Sequence, residues 1–355
     1  MIWTRRFLCA VLYYTGLNAV FRLVLRRNDC VVLMYHRVVD PDDLDGLEAR
    51  FVHPGMHVTT QAFEMHMDYI ARHFHVIDVP QLMRAVKDGE RLPRNACVIT
   101  FDDGWRDNYT HAFPILKRHN LPAMVFLVSD YVGTNRWFWY ERLSLMLSKC
   151  LTSPSVHEGW AAACPATERS GLFAVFADRR LPPANRIRAS LAAIGAMAPS
   201  DRRTVTGELE AVLAAHHVPI EFSERVMLNW DEVAEMCGHR VGFGSHTRNH
   251  QILTEVSISE AVQEIAGSKS VIEAHLSAGC SAFCYPNGQF SNDVKHAVMA
   301  HYQCAFSTAR GFVKPGDDIF ALKRTGIHNE GTFTRAMFAC KTSGILDLFL
   351  SVWNP

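Results

Sequence analysis

Val98-Ile-Thr-Phe-Asp-Asp-Gly-Trp105 is an apolar run that stops at two adjacent carboxylates and a glycine. The run from Cys97 to Phe101 reads as a buried strand, and the glycine allows an immediate turn after it. Asp102 and Asp103, side by side at a strand end, repel each other unless a cation is near. Asp-Gly is also an ordinary turn dipeptide, so the stretch alone is compatible with a solvated turn. A second strand end alters that balance. Val241-Gly-Phe-Gly-Ser-His-Thr-Arg-Asn-His250 carries His246 and His250 four residues apart. On one helical turn, that spacing places both imidazoles on one face. Two strand ends that supply Asp, Asp, His and His together describe a divalent-metal site. Two imidazoles and one carboxylate leave coordination positions open, as catalytic sites do, and the second carboxylate is left to act as a base.

Outward from these two motifs, strands and helices alternate. Val31 to Tyr35, Ala123 to Val128, Arg240 to Gly244, Ser281 to Tyr285 and Cys304 to Ser307 read as strands. Helices are expected behind the N-cap candidates Thr59 and Thr60, where Phe63, Met67 and Ile70 recur at helical spacing, and over Asp107 to Arg118, Ile258 to Leu276 and Asn292 to Ala300. Repeated strand–helix units imply parallel strands and an α/β sheet or barrel. In a barrel, the chemistry collects at the C-terminal ends of the strands, where both motifs fall. Residues 137–226 are Ala-, Arg- and Leu-rich with few strand signals, and read as a mainly helical insertion.

These motifs resemble those of the polysaccharide deacetylases, carbohydrate esterase family 4, built on the NodB homology domain. Thr100-Phe-Asp-Asp-Gly104 resembles the family's first motif and His246-Thr-Arg-Asn-His250 its second. Leu33-Met-Tyr-His-Arg-Val38 resembles the opening of a circularly permuted subgroup acting on biofilm exopolysaccharide. The resemblance covers about residues 31–130 and 228–330 and leaves the insertion outside. It implies a distorted (β/α) barrel with Asp103, His246 and His250 as ligands of a divalent metal, usually Zn2+, and Asp102 as general base. It implies His36 as general acid, with His328 in Lys323-Arg-Thr-Gly-Ile-His328 as the rival. The third motif departs from the family's Arg-x-Pro-Tyr: Phe283-Cys-Tyr-Pro-Asn-Gly288 has Cys284 at the Arg position and Asn287 at the Tyr position. Arg324 is the candidate to orient the base in place of the missing Arg, and the Asn287 N–H is the candidate oxyanion donor. Tyr285 and Trp105 are candidates for the site wall, with Trp105 stacking on a sugar face. Trp137 to Tyr140 either line a glycan cleft or pack the insertion. The implied reaction is removal of N-acetyl groups from amino sugars of a glycan. The alternatives are a metal-dependent amidase or esterase on a non-carbohydrate substrate and a non-catalytic glycan-binding protein.

Composition bounds the rest. Thirty-six basic and thirty-six acidic side chains cancel, which argues against a nucleic-acid partner that relies on bulk charge. Ten cysteines occur without any CxxC pair; Cys97, Cys284 and Cys304 fall in strand-like runs as buried thiols, favouring a reducing compartment. Residues 1–29 read as an apolar helix flanked by Arg5, Arg6, Arg22, Arg26 and Arg27. The apolar run is short of the ~20 residues needed to span a bilayer. The expectation is therefore packing on the domain or peripheral membrane contact through residues 1–27, with a membrane span as the third alternative, in a protein that is cytoplasmic or membrane-associated. The barrel is expected over 30–340, with a C-terminal tail over 341–355. Nothing in the sequence fixes an oligomeric state.

Overall fold

The computed structural model describes residues 2–26, 28–42, 56–163, 172, 176–220, 225–277 and 279–346. Ten strands occur among them: β1 (Cys30–Tyr35), β2 (Arg37–Val39), β3 (His57–Thr59), β4 (His75–Val76), β5 (Ala96–Phe101), β6 (Ala123–Leu127), β7 (Val241–Ser245), β8 (Ala282–Cys284), β9 (Cys304–Arg310) and β10 (Leu322–Gly326). Parallel pairing runs β1-β10-β9-β8-β7-β6-β5, and β5 pairs back onto β1 from Cys30↔Ala96 to Tyr35↔Phe101. Seven parallel strands thus close a barrel, as the alternating pattern implies. β4 adds to the start of β5, and β2 and β3 form a separate parallel pair.

The strands are apolar on both faces because both faces are covered. Cys30, Val32, Ala96, Val98, Met124, Phe126, Ala282, Cys284, Cys304, Phe306 and Leu322 pack together inside the barrel with the helix Val79–Lys87. The alternate residues, among them Leu33, Ile99, Val125 and Phe283, pack outward against the surrounding helices. β7 meets the interior with Gly242 and Gly244. A Cβ on Gly244 would lie 2.7 Å from the Phe126 ring and 2.8 Å from the Ala282 carbonyl, so that position admits no side chain.

Local sequence starts the helices. Thr59 caps Thr60–His73, whose Phe63, Met67 and Ile70 are buried. Ser257 with Glu260 and Asn229 with Glu232 form capping boxes at Ile258–His275 and Trp230–Cys237. The expected helix Asp107–Arg118 begins as a π turn over Asn108–Ala112 before continuing as Phe113–His119. β10 was not expected. Arg324 faces the interior and Lys323 is exposed, so the strand lacks the apolar run that marks its neighbours.

The leader differs from the single helix expected over 1–29. It forms Ile2–Tyr14 and Leu17–Leu25, bent by 73° at a break where Gly16 takes φ 78°, a conformation only glycine adopts freely. Among the described residues, no single helix is long and apolar enough to cross a membrane. The helix Arg335–Ser343 runs into the expected tail, and 347–355 lie outside the described residues.

The chain divides into two compact units, the second taking Asn135–Glu224 and the first holding the barrel. The second unit contains the helices Trp139–Thr152, Pro154–Ala163, Pro183–Gly195 and Pro199–Ala215, with a core of its own around Leu143, Leu147, Trp160, Phe176 and Leu209. Within it, Phe138 and Tyr140 stack on each other and Arg202 lies over Trp139.

Substituting Gly244→Ala is expected to destabilise the barrel by about 1–3 kcal/mol through overpacking against Phe126. Urea denaturation read against the unsubstituted chain checks this.

Candidate active site

Strand parity assembles the site. Ala96 and Val98 face the interior, and continuing by twos along β5 brings Thr100 and then Asp102 to the barrel mouth. The same count leads from Cys30 and Val32 to His36, from Gly242 and Gly244 to His246, from Ala282 to Cys284, and from Leu322 to Arg324. Five strands therefore deliver inward residues to one end.

Arg324 is fully buried and reaches Asp102 through both arms of its guanidinium, Nη1 to Oδ1 at 2.7 Å and Nη2 to Oδ2 at 2.7 Å. Its Nε donates to the Ser307 carbonyl at 2.9 Å, Nη1 also to Thr100 Oγ1 at 3.2 Å, and Nη2 to Cys284 Sγ at 3.0 Å. Burial raises the proton affinity of Asp102, but the charge and hydrogen bonds of Arg324 outweigh it and hold the carboxyl well below the usual range. Burial pushes the neighbouring Cys284 thiol up, so it stays protonated, 3.6 Å from Asp102 Oδ2. The guanidinium that the third motif lacks is thus supplied from β10. His36 Nε2 lies 4.0 Å from Asp102 Oδ2.

Asp103 breaks the alternation. Its backbone takes φ 77° and Gly104 follows at 78°. Its Oδ2 accepts from Trp105 Nε1 at 3.0 Å, while Oδ1 is buried without a hydrogen-bond partner. Oδ1 faces His246 Nε2 at 3.6 Å and His250 Nε2 at 3.5 Å. The His246 Nδ1–H donates to the Cys284 carbonyl at 2.7 Å, because a carbonyl only accepts; in the neutral ring this leaves the Nε2 lone pair directed at Asp103. Burial lowers both imidazoles to about 4, so they are neutral at pH 7, and burial raises Asp103. A buried carboxylate oxygen without a donor, facing two neutral imidazoles, fits a divalent cation. The ligand atoms of Asp103, His246 and His250 lie within 4.8 Å of one another. Asp102, His246 and Cys284 also meet that spacing. The first set fits better, because Arg324 takes both Asp102 oxygens and the thiol is protonated.

The two histidines do not converge on a helical turn. Residues 246–250 form a loop in which Thr247 takes φ 69° and His250 φ 57°. A β-branched residue in that region is strained, and strain of this kind persists only where surroundings enforce it. Glu264 does so: its carboxylate accepts from the backbone N–H groups of Arg248 at 2.9 Å and Asn249 at 2.8 Å, and from Asn249 Nδ2 at 2.9 Å. The sequence reading missed Glu264, which sits in the helix Ile258–His275 like any exposed carboxylate.

Two expectations, for Trp105 and Tyr285, are corrected. Trp105 is no open platform for a sugar; its ring is buried, tied to Asp103 and covered by the Arg37 guanidinium at 4.4 Å. Tyr285 has the outward parity of β8. It is buried against Phe283 and Phe290, donates its hydroxyl to the Phe320 carbonyl at 3.1 Å, and does not line the interior. Asn287 is exposed in a left-handed turn after β8, and its N–H has no partner among the described hydrogen bonds. His328 lies against Gly331 and makes no described contact with Asp102 or Asp103.

The polysaccharide deacetylase family matches residues 89–162 and 189–305, and the chain belongs to that family. The match enters the 137–226 segment from both sides, further than the motifs alone imply, and does not include β1 or β10. The chain is 27% identical over 134 residues to the poly-beta-1,6-N-acetyl-D-glucosamine N-deacetylase of Staphylococcus epidermidis, covering 37% of this chain and 45% of that one. It is 32% identical over 108 residues to the protein of the same name from Escherichia coli K12, covering 30% and 15%. It thus spans less than half the length of these curated relatives. In fold it is similar to IcaB from Ammonifex degensii (TM-score 0.55, 16% identity, 88% of this chain and 97% of that one). It is also similar to the Streptococcus pyogenes deacetylase PplD (TM-score 0.54, 15% identity, 86% and 95%).

Two predictions follow from this geometry. Glu264→Ala is expected to release the 246–250 loop and weaken divalent-cation binding by about 10–100-fold, measured by calorimetric titration. Arg324→Met leaves Asp102 buried and unpaired, which is expected to cost about 3–5 kcal/mol of stability. The double variant Arg324→Met with Asp102→Asn should recover much of that loss in the same denaturation experiment.

Proposed function

We propose that the protein is a divalent-metal-dependent hydrolase that removes acetyl groups from N-acetylated amino sugars of a polysaccharide. One juxtaposition carries the reading: the Asp103–His246–His250 set adjoins an ionised, Arg-held Asp102 and His36 at a single barrel mouth. Family membership and the de-N-acetylases among the relatives point to the same reaction class.

Asp103, His246 and His250 would hold the ion, with Zn2+ suited to two imidazoles and a carboxylate. When bound, it supplies a Lewis acid for the amide carbonyl and lowers the pKa of water. Asp102 is the general base. Arg324 keeps it ionised and fixed in direction, ready to take a proton from the attacking water. His36, 4.0 Å from Asp102 and partly open, is the group to protonate the departing amine. The Asn287 N–H, in a turn that leaves it unpaired among the described hydrogen bonds, is assigned to the tetrahedral oxyanion.

Acetate release from N-acetylated oligosaccharides, before and after chelation and on zinc re-addition, tests the proposal. Chelation should abolish turnover and zinc restore it; turnover unaffected by thorough chelation overturns it. Asp103→Ala and His246→Ala are expected to lose metal and activity together. Asp102→Asn should retain metal while the rate falls by about 10²–10⁴.

A further inference from the structure

The two leader helices present an apolar surface that the active site does not use. In Ile2–Tyr14, Cys9 and Leu12 face inward and join Ala336, Met337, Cys340, Ile345 and Leu346 in a small core. In Leu17–Leu25, Asn18 accepts from Ser343 Oγ at 2.5 Å, and Arg22 is buried, donating to the His73 carbonyl and lying over the Phe74 ring. Inner polar partners and an apolar seam therefore fix the rotation of both helices. The opposite faces carry Phe7, Tyr14, Leu17, Val20, Leu23 and Val24, each more than half exposed. Their spacing follows the helical repeat, so they form a face rather than a scatter, and contiguous exposed apolar surface of this kind marks a contact.

Charge identifies the partner. The whole chain is neutral, yet residues 1–29 hold five arginines and a single acidic residue, Asp29, which pairs with Arg26 at 3.2 Å. A second copy of the chain seated on this face would bring two leaders of net positive charge together. An anionic lipid surface meets both features at once, taking the apolar side chains into the acyl boundary while the net positive charge of the leader draws it to the headgroups. A spanning arrangement is opposed by the 73° bend and by the burial of Asn18 and Arg22 against the domain. We propose that the two leader helices lie in the plane of an anionic membrane surface and dock the barrel onto it through Phe7, Tyr14, Leu17, Val20, Leu23 and Val24.

Flotation of the full chain with vesicles tests this, using phosphatidylcholine alone and phosphatidylcholine mixed with phosphatidylglycerol. Binding to the mixed vesicles should exceed binding to the neutral ones by at least about tenfold and should weaken with added salt. The combined variant Phe7→Ser, Leu17→Ser, Val20→Ser and Val24→Ser changes only exposed side chains and should lose that binding while keeping acetate release from a soluble substrate. Hydrogen exchange on the unsubstituted chain gives a second reading, with protection by mixed vesicles expected over 2–25. Absence of vesicle binding, equal binding to both vesicle types, protection elsewhere, or a concentration-dependent dimer broken by the variant would each overturn the proposal.

Discussion

Two carboxylates stand side by side inside a barrel, and almost everything at its mouth follows from how their charge is met. Both side chains are buried, so neither remains ionised without a positive neighbour. Arg324 meets Asp102 with two hydrogen bonds of 2.7 Å and is itself braced by Ser307, Thr100 and Cys284. Asp103 receives one hydrogen bond from Trp105 and keeps an oxygen with none. The asymmetry divides the work: one carboxylate is neutralised by the fold, and the other is left for a cation.

The backbone is bent to reach that arrangement. Asp103, Thr247 and His250 all take left-handed conformations that non-glycine residues rarely adopt. None of the three lies in a strand: Asp103 and Thr247 directly follow the inward-facing Asp102 and His246, and His250 ends the loop after β7. The hydrogen bonds of Glu264 hold the 246–250 loop in place. Burial keeps the imidazoles neutral, so the set is prepared for a ligand before any ligand arrives.

Much of this was legible in the chain. Apolar runs ending in Asp102 and His246 marked two barrel strands, and the resemblance singled out His36, Asp103 and His250 as well. Arg324 was nominated only because Cys284 occupies a position where an arginine was missed. Its strand, β10, escaped notice because an inward arginine and an outward lysine erase the apolar run by which a buried strand is read. The helical-turn reading of His246 and His250 failed because spacing alone does not distinguish a helix from a loop with two left-handed residues. Trp105 and Tyr285 misled for a simpler reason: an aromatic beside a motif looks available, and only packing reveals that one ring is roofed by Arg37 and the other faces outward.

The sequence by itself determined the parity: residues two apart on a strand share a face, so the inward positions at the four strand ends legible in the sequence are set by counting. It also determined the chemistry those positions carry. Which carboxylate is paired and which is left open was decided only by the tertiary structure. Pairing depends on a guanidinium arriving from a strand 222 residues away in the chain, and closure of β5 onto β1 is what brings that strand within reach of Asp102.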